Sequence, residues 1–211
     1  RRGMEVERAL TDADRANNAA VGQVDGRCTV QGDPTEGALI VAARKFGITE
    51  QTLAPHRRVA EIPFTSERKR HTTVHADPEQ PNDLRIMVKG APEIMLSRCR
   101  FVMQQGQPIL LTESARADIE KRNDALASQA LRVLAVATRS MPAATLGIDP
   151  KMPASDIELS ESIEEELVFL GLIGMIDPPR GEVKDAVAVA RRAHIRTVMI
   201  TGDHPATAGP I

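Results

Sequence analysis

The sequence is poor in aromatic residues, with no tryptophan, no tyrosine and only four phenylalanines in 211 residues. Few positions can therefore stack on a planar base, a contact worth roughly 1–3 kcal/mol. Phe46 and Phe169 lie in apolar patterns and are predicted to be core residues. Phe64 differs, because it follows Ile-Pro and precedes the polar, cationic stretch "TSERKR". That stretch is either a solvated, positively charged strand or part of a binding site.

Cysteine and net charge are also low. Cys28 and Cys99 are too few for a disulfide framework and lack the spacing of a zinc site, which favours reduced thiols in a cytoplasmic setting. The 27 basic and 29 acidic residues leave a formal net charge of -2, so no sequence-wide field attracts nucleic acid or an anionic membrane. The five histidines are scattered, and we expect no metal site in this chain. Any basic site must be local.

No apolar run reaches the length of a membrane-spanning helix. The longest, "LVFLGLIGMI" at 167–176, has about half of the roughly 20 residues required. The first residues show no signal peptide. They run directly into a helical pattern, and the last residues stop just after a helix-start signal. We therefore expect a soluble fragment excised from a longer protein.

Local patterns predict a mixture of helices and hairpins up to residue 176. A hairpin is expected to turn at Asp25-Gly26, and 140–166 is expected to be a surface excursion rather than core. The remaining predicted elements are helices at about 4–18, 34–46 and 114–130, a short helix from Pro92, and strands within 57–64, 69–76, 84–89, 100–110 and 131–139. The strands that flank "TSER" and "DPEQPND" are predicted to pair in antiparallel fashion.

The character of the sequence changes near residue 177. A strand at 169–176, the breaker "DPPR", a helix at 181–193, a strand "IRTVMI" and the loop "TGD" form an alternating α/β pattern. The two prolines stiffen the connection. We predict one domain at 1–176, a hinge at 177–180 and part of a second domain at 181–211.

The segment "GDPTEGAL" has two glycines at the spacing of a phosphate-binding P-loop. The Lys-Ser/Thr pair that must follow the second glycine is missing, so a P-loop is rejected. Asp33 as N-cap, Pro34 and Glu36 instead form a good helix start. Glu36 can complete this cap or accept a hydrogen bond from a ligand amine. The Asp-x-Asp pattern that begins at Asp12 is rejected as a phosphatase motif, because no apolar strand precedes it.

The segment "LRIMVKGAPE" places Lys89 where a strand ends and a helix begins. Lysines often cover the edge of a sheet. Alternatively, the ammonium offers a point charge to a phosphate, with Gly90 beside it allowing a ligand to approach closely. The loop at 201–203 has the same two interpretations, a phosphate loop at a strand's end or an N-cap formed by Asp203.

Six motifs occur in order between about residues 22 and 208: "GDPTEGAL", "EIPFTSERKR", "MVKGAPE", "LRVLAVATR", "GMIDPPR" and "MITGDHPATA". Together they closely resemble the cytoplasmic nucleotide-binding region of type II P-type cation-transporting ATPases. The resemblance implies an α+β fold, with a twisted antiparallel sheet flanked by helices, as the nucleotide-binding (N) domain. It also implies that 177–180 is a hinge and that 181–211 begins a haloacid-dehalogenase-like phosphorylation (P) domain.

The resemblance implies a role for each matching position. Phe64 would stack on adenine, with Glu36 near the adenine amino group, and Lys89 would lie with Gly90 at the depth of the pocket. The other implied nucleotide-site residues are Lys69, Arg132 and Leu134, together with Ser66, which replaces an arginine of some calcium-pump relatives. Asp177 and Arg180 would belong to the hinge, and Thr201, Gly202 and Asp203 to the loop that holds the transferred phosphoryl group.

The implied function is to position ATP, with Mg²⁺ in the full enzyme, for phosphoryl transfer that drives cation transport. The phosphorylated aspartate would lie upstream of Arg1, so we expect the fragment to bind nucleotide without hydrolysing it. Its partners would be ATP and the remaining phosphorylation, actuator and transmembrane domains of a membrane pump. A free-standing phosphatase would need its own nucleophilic aspartate after a strand. A non-catalytic nucleotide-binding or interaction module remains an alternative.

Overall fold

A computed structural model gives the chain an α+β fold and describes residues 2–24, 27–151, 159–176 and 182–198. The helices are α1 Arg2–Arg15, α2 Pro34–Lys45, α3 Glu50–Leu53, α4 Pro92–Arg98, α5 Glu113–Ala127, α6 Ala143–Leu146 and α7 Val183–Arg192, with a 3₁₀ helix, η1, at Glu161–Glu164. The strands are β1 Ala20–Val24, β2 Arg27–Gln31, β3 Arg58–Ile62, β4 Arg70–Ala76, β5 Asp83–Gly90, β6 Cys99–Gln104, β7 Gln107–Leu110, β8 Arg132–Pro142 and β9 Leu167–Met175. Within these described ranges, no helix has the length and apolar character needed to cross a bilayer.

Seven strands form one sheet in the order β3-β4-β5-β8-β9-β6-β7, while β1 and β2 form a separate antiparallel hairpin. The predicted sheet flanked by helices is confirmed. It is not wholly antiparallel, however, because β6 and β9 pair in parallel. A parallel pair needs a long crossover, and the chain between β6 and β9 supplies one that contains β7, α5 and β8.

The two faces of the sheet carry different side chains, as β5 shows. Successive residues of a strand point to opposite faces. Leu84, Ile86 and Val88 are fully buried in the larger core, where α4 and α5 also contribute side chains. Arg85 and Lys89 alternate with them and reach the face that carries α1 and α2, where each meets a carboxylate. Along β5, therefore, one face is apolar and the other carries buried charge.

Asp12 of α1 is one of these carboxylates. It is fully buried, and its Oδ1 lies 2.8 Å from Nη2 of Arg85. Burial raises the pKa of Asp12, and the charges of Arg85 and Arg8 oppose that rise. A helical, ion-paired aspartate agrees with the rejection of the Asp-x-Asp pattern as a phosphatase motif.

The prediction that 140–166 forms a surface excursion rather than core is correct for most of its described residues, which are not buried, and wrong for a few. β8 continues to Pro142, and Ala143, Ile148 and Ile163 are buried in the larger core. These apolar residues are separated by proline, serine and glutamate, so they show no helical or strand period. Each enters the core individually. Residues 152–158 lie outside the described residues.

The core prediction for the phenylalanines is confirmed for Phe169 and wrong for Phe46. Phe169 is buried in β9, whereas Phe46 is 44% exposed at the end of α2. The chain turns at Gly47, whose φ is +95°, and this turn places Ile48 in the core instead. Glycine adopts that conformation without the steric cost that a Cβ would impose.

Two elements of the predicted α/β pattern near the end of the chain are confirmed, the strand at 169–176 as β9 and the helix as α7. α7 matches the predicted helix at 181–193. Residues 195–198 form no strand and are exposed, and the last two residues of the predicted strand lie outside the described residues. The strand that precedes the breaker is β9, which belongs to the seven-stranded sheet. The hinge and phosphate-loop candidates Asp177, Arg180, Thr201, Gly202 and Asp203 also lie outside the described residues.

Candidate functional site

A cleft of about 800 Å³ opens where β4, β5 and β8 meet the first turn of α2. The strand register explains which side chains face it. His71 of β4 pairs across from Lys89 of β5, and Lys89 pairs across from Val136 of β8. Leu134 is two residues from Val136 and therefore lies on the same face. The described lining residues are Asp33, Thr35, Glu36, Phe64, Lys69, His71, Lys89, Gly90, Ala91, Pro92, Glu93, Arg132, Val133 and Leu134.

An ion pair between Lys89 and Glu36 forms the floor of this cleft. The Nζ of Lys89 donates to Oε1 of Glu36 at 2.6 Å, and the lysine side chain is only 7% exposed. Asp33 caps α2 by accepting from the amides of Thr35 and Glu36, at 2.7 and 3.3 Å. Because Asp33 performs the capping, the side chain of Glu36 extends away from its own helix to Lys89.

Two further groups hold the Glu36 carboxylate. The backbone amide of Asn18 donates to Oε2 at 3.0 Å, and Nδ1 of His71 lies 3.5 Å from Oε1. Partial burial by itself raises the pKa of Glu36, but the contacts with His71, Lys89 and Asn18 outweigh it and lower the pKa to about 2. Burial lowers the pKa of Lys89, and its hydrogen bond to Glu36 acts in the opposite direction. Glu36 is thus an anion that fixes the position of Lys89.

His71 and Asn18 are site residues that the sequence prediction missed. Asn18 lies in the loop between α1 and β1, where no motif marked it. In the strand predicted at 69–76, His71 comes two positions after Lys69 and would share its face. That spacing could have indicated His71 as a site residue, but only with the knowledge that His71 pairs with Lys89 across the strands.

Phe64 and Lys69 form the rim of the cleft, on the connection between β3 and β4. Phe64 is 59% exposed. The Nζ of Lys69 lies 4.0 Å from Oε1 of Glu93, in an exposed pair of the kind that contributes little to stability. Ser66 is exposed on the same connection but is not among the described lining residues. The structure therefore brings Glu36, Phe64, Lys69, Lys89, Gly90, Arg132 and Leu134 together and leaves Ser66 outside.

Gly90 lines the cleft and also has a structural role, beside the predicted one of allowing a ligand to approach. A Cβ at this position would lie 2.6 Å from the carbonyl oxygen of Lys69 and 2.8 Å from Cβ of Arg70. The missing side chain thus admits the neighbouring segment of chain. The amide of Ala91 donates to that same carbonyl of Lys69 at 3.0 Å, which ties the rim to the end of β5.

Arg132 and Leu134 enter the cleft from the start of β8. The Nη1 of Arg132 donates to Oγ1 of Thr35 at 3.3 Å, which connects β8 with the first turn of α2. Leu134 adds an apolar surface on the same face of the sheet. The lining thus combines cations, one aromatic ring and an aliphatic wall.

Comparison with known protein families assigns the chain to a class. A family model described as "P-type ATPase, cytoplasmic domain N" matches residues 5–182, and the chain belongs to that family. The resemblance to type II cation-transporting ATPases stated from the motifs is confirmed.

Curated relatives share substantial identity with the chain. It is 41% identical over 196 residues to "Calcium-transporting ATPase" of Bacillus subtilis, which covers 92% of the chain and 21% of that protein. It is 42% identical over 178 residues to "Calcium-transporting ATPase 1" of Bacillus cereus, covering 84% and 18%. It is 37% identical over 185 residues to "Sodium/potassium-transporting ATPase subunit alpha-3" of Homo sapiens, covering 86% and 18%. The chain thus spans about a fifth of the length of these relatives.

Proposed function

We propose that the cleft binds ATP and that this chain positions ATP within a P-type cation-transporting ATPase. One observation carries the proposal. A buried lysine, Lys89, lies at the floor of a cleft whose rim holds an exposed phenylalanine, Phe64. A buried cation and an aromatic face for a base thus open into one space.

The hydrogen bonding of Lys89 leaves room for a ligand. An ammonium carries three N–H donors, and among the described residues its only hydrogen bond goes to Glu36. Two donors therefore remain for acceptor atoms of the nucleotide. Lys69 and Arg132 add positive charge, and Phe64 stacks on adenine, while Leu134 packs against the nucleotide. Gly90 keeps the rim close to the floor.

The described residues contain no ready-made cluster of metal ligands. No group of three or more histidine, cysteine, aspartate or glutamate side chains among them could hold a metal ion. Mg²⁺ that arrives with ATP would be held mainly by the ATP phosphates, because beside them it needs only one or two protein carboxylates.

In the complete pump the domain would contribute geometry rather than bond-making groups. Holding ATP near an aspartate outside this chain raises its effective concentration at the acceptor. Residues 1–176 would form the N domain and 181–211 the start of the P domain. Movement about 177–180 would bring the two together. The fragment would be a cytoplasmic part of a membrane pump, inactive by itself, with the other pump domains as its partners.

Titration with ATP, followed through backbone amide chemical shifts, tests this proposal. We expect the amides near Phe64, Lys89 and Arg132 to shift, while those of β7 at the far edge of the sheet stay in place. A Ser66→Ala variant should bind ATP like the parent, because Ser66 lies outside the lining. Unmoved amides around the cleft at saturating ATP would contradict the proposal.

Sequencing the gene on both sides separates a pump, which needs membrane spans there, from a non-catalytic nucleotide-binding module.

A further inference from the structure

Two of the three consecutive cations Arg68, Lys69 and Arg70 point away from the cleft. Only Lys69 lines it. Arg68 and Arg70 are both bound by Glu161 and Glu164 of η1, which follows them by more than 90 residues in the chain. The interpretation of this stretch as a uniformly solvated, positively charged strand is therefore wrong.

Each glutamate bridges both arginines. Glu161 accepts from Nε of Arg68 at 2.9 Å and from Nη2 of Arg70 at 2.7 Å. Glu164 accepts from Nη2 of Arg68 and, at 2.5 Å, from Nε of Arg70. Glu164 is fully buried and also accepts from the hydroxyl of Thr72. Two neighbouring guanidinium groups repel each other. The two carboxylates offset this repulsion, so both arginines can lie side by side at the start of β4.

This set of four residues, which we call the Arg–Glu clamp, lies on the sheet face opposite to the cleft. Thr72, which binds Glu164, alternates along β4 with His71, which faces Lys89. Ile163 of η1 packs in the larger core, on that same opposite face. A nucleotide in the cleft therefore need not touch Glu161 or Glu164.

Arg68 connects the clamp to the rim. Its Nη1 donates to the carbonyl of Pro63, directly before Phe64, and its backbone amide donates to Oγ1 of Thr65 at 3.2 Å. The amide of Lys69 donates to the carbonyl of Thr65 at 2.8 Å. Lys69 itself has a φ of +50°, a conformation that is uncommon for residues other than glycine and needs support from its surroundings. Arg68 is thus hydrogen-bonded at two points to the turn that presents Phe64 and Lys69.

We propose that Glu161 and Glu164 are positioning residues for nucleotide binding. Through Arg68 and Arg70 they hold the turn at 63–70 so that Phe64 and Lys69 face the cleft. This role rests on the proposed ATP binding. It adds two acidic residues, remote in sequence and outside the cleft lining, to the groups on which nucleotide affinity depends.

The test compares two matched glutamates. Glu161→Gln removes the charge of one of the two clamp carboxylates at a residue whose side chain is 51% exposed, so the fold should survive. Glu165→Gln is the control, because Glu165 is 52% exposed, lies in the same segment and pairs with Arg98 instead. A Phe64→Trp background supplies a reporter, since the chain has no other tryptophan. The measurements are emission anisotropy and hydrogen exchange of the Lys69 amide without nucleotide, then ATP affinity by titration.

For Glu161→Gln we expect lower anisotropy, at least about threefold faster exchange of the Lys69 amide, and a Kd for ATP about three- to tenfold higher. Glu165→Gln should change none of these. Glu164→Gln should act in the same direction more strongly, or lower the melting temperature as well. Unchanged exchange and affinity in Glu161→Gln, or equal losses in both matched variants, overturn the inference. A parent protein that does not bind ATP overturns the proposed function and, with it, the role of the clamp in binding.

Discussion

The floor and the rim of the cleft are held in place by different means. Lys89 lies on β5, which is paired with β4 on one side and β8 on the other, and Glu36 lies on a capped helix. Phe64 lies on a connection outside the strands, and its turn is fixed by side chains. Backbone register therefore determines the floor, whereas the rim depends on the Arg–Glu clamp. A substitution in the floor should change both the charge balance of the cleft and the affinity for ATP, whereas a substitution at the rim should change the affinity for ATP alone.

Lys89→Ala breaks the floor and should have the largest effect. It removes the buried ammonium that faces the nucleotide, and it leaves Glu36 in the floor as an anion without its partner. We expect the Kd for ATP to rise about 30-fold or more, which corresponds to about 2 kcal/mol for a lost charged hydrogen bond. Isothermal titration calorimetry measures this directly.

The matched control for Lys89 is Lys45→Ala, an exposed lysine at the end of α2. It removes the same formal charge away from the cleft, so ATP affinity should stay within about twofold. If both variants lost affinity equally, net charge rather than position would govern binding. If Lys89→Ala bound ATP like the parent, the role given to Lys89 would be wrong.

Phe64→Ala breaks the rim and should have the next largest effect. Loss of the stacking face should raise the Kd for ATP about tenfold, within the roughly 1–3 kcal/mol of a base–aromatic contact. The melting temperature should change little, because the ring is largely exposed. Phe46→Ala is the control, since Phe46 is also an exposed phenylalanine but lies outside the cleft. A Phe64→Ala protein with a markedly lower melting temperature would show that the rim is part of the fold.

Features that depend on neighbours in sequence could be predicted, and those that depend on distant partners could not. The helix start at Asp33 and the turn beyond Lys45 were visible from local residue types, and the structure has both. The strand "RHTTVHA" is polar yet almost wholly buried, because its polar side chains meet partners from α1 and η1. No periodicity predicts burial of that kind. The Arg–Glu clamp could not be predicted for the same reason, because its arginines and glutamates lie far apart in sequence.

For the candidate site, the sequence motifs contain most of the lining residues, but they do not reveal how these residues contact one another. The resemblance led to Glu36, Lys89 and Phe64, while the Lys89–Glu36 ion pair and the support from Asn18 required the packed structure. The parallel pairing of β6 with β9 was also missed, because a single strand's pattern does not reveal the direction of its neighbour.

The pH dependence of the free energy of unfolding tests the floor alone, and we expect this effect to be the smallest. Contacts with His71, Lys89 and Asn18 lower the pKa of Glu36 from 4.5 to about 2, so the folded protein binds this proton more weakly than the unfolded chain does. The resulting stabilisation is complete above about pH 4.5 and disappears as the pH falls through about 2. Glu36→Gln should therefore be less stable than the parent at pH 6, and the difference should shrink below pH 4.5. Urea unfolding at pH 6, 4.5 and 3.5 measures it, with Glu93→Gln, an exposed lining residue, as control. A difference that stays constant over this range would show that the Glu36 charge does not stabilise the floor.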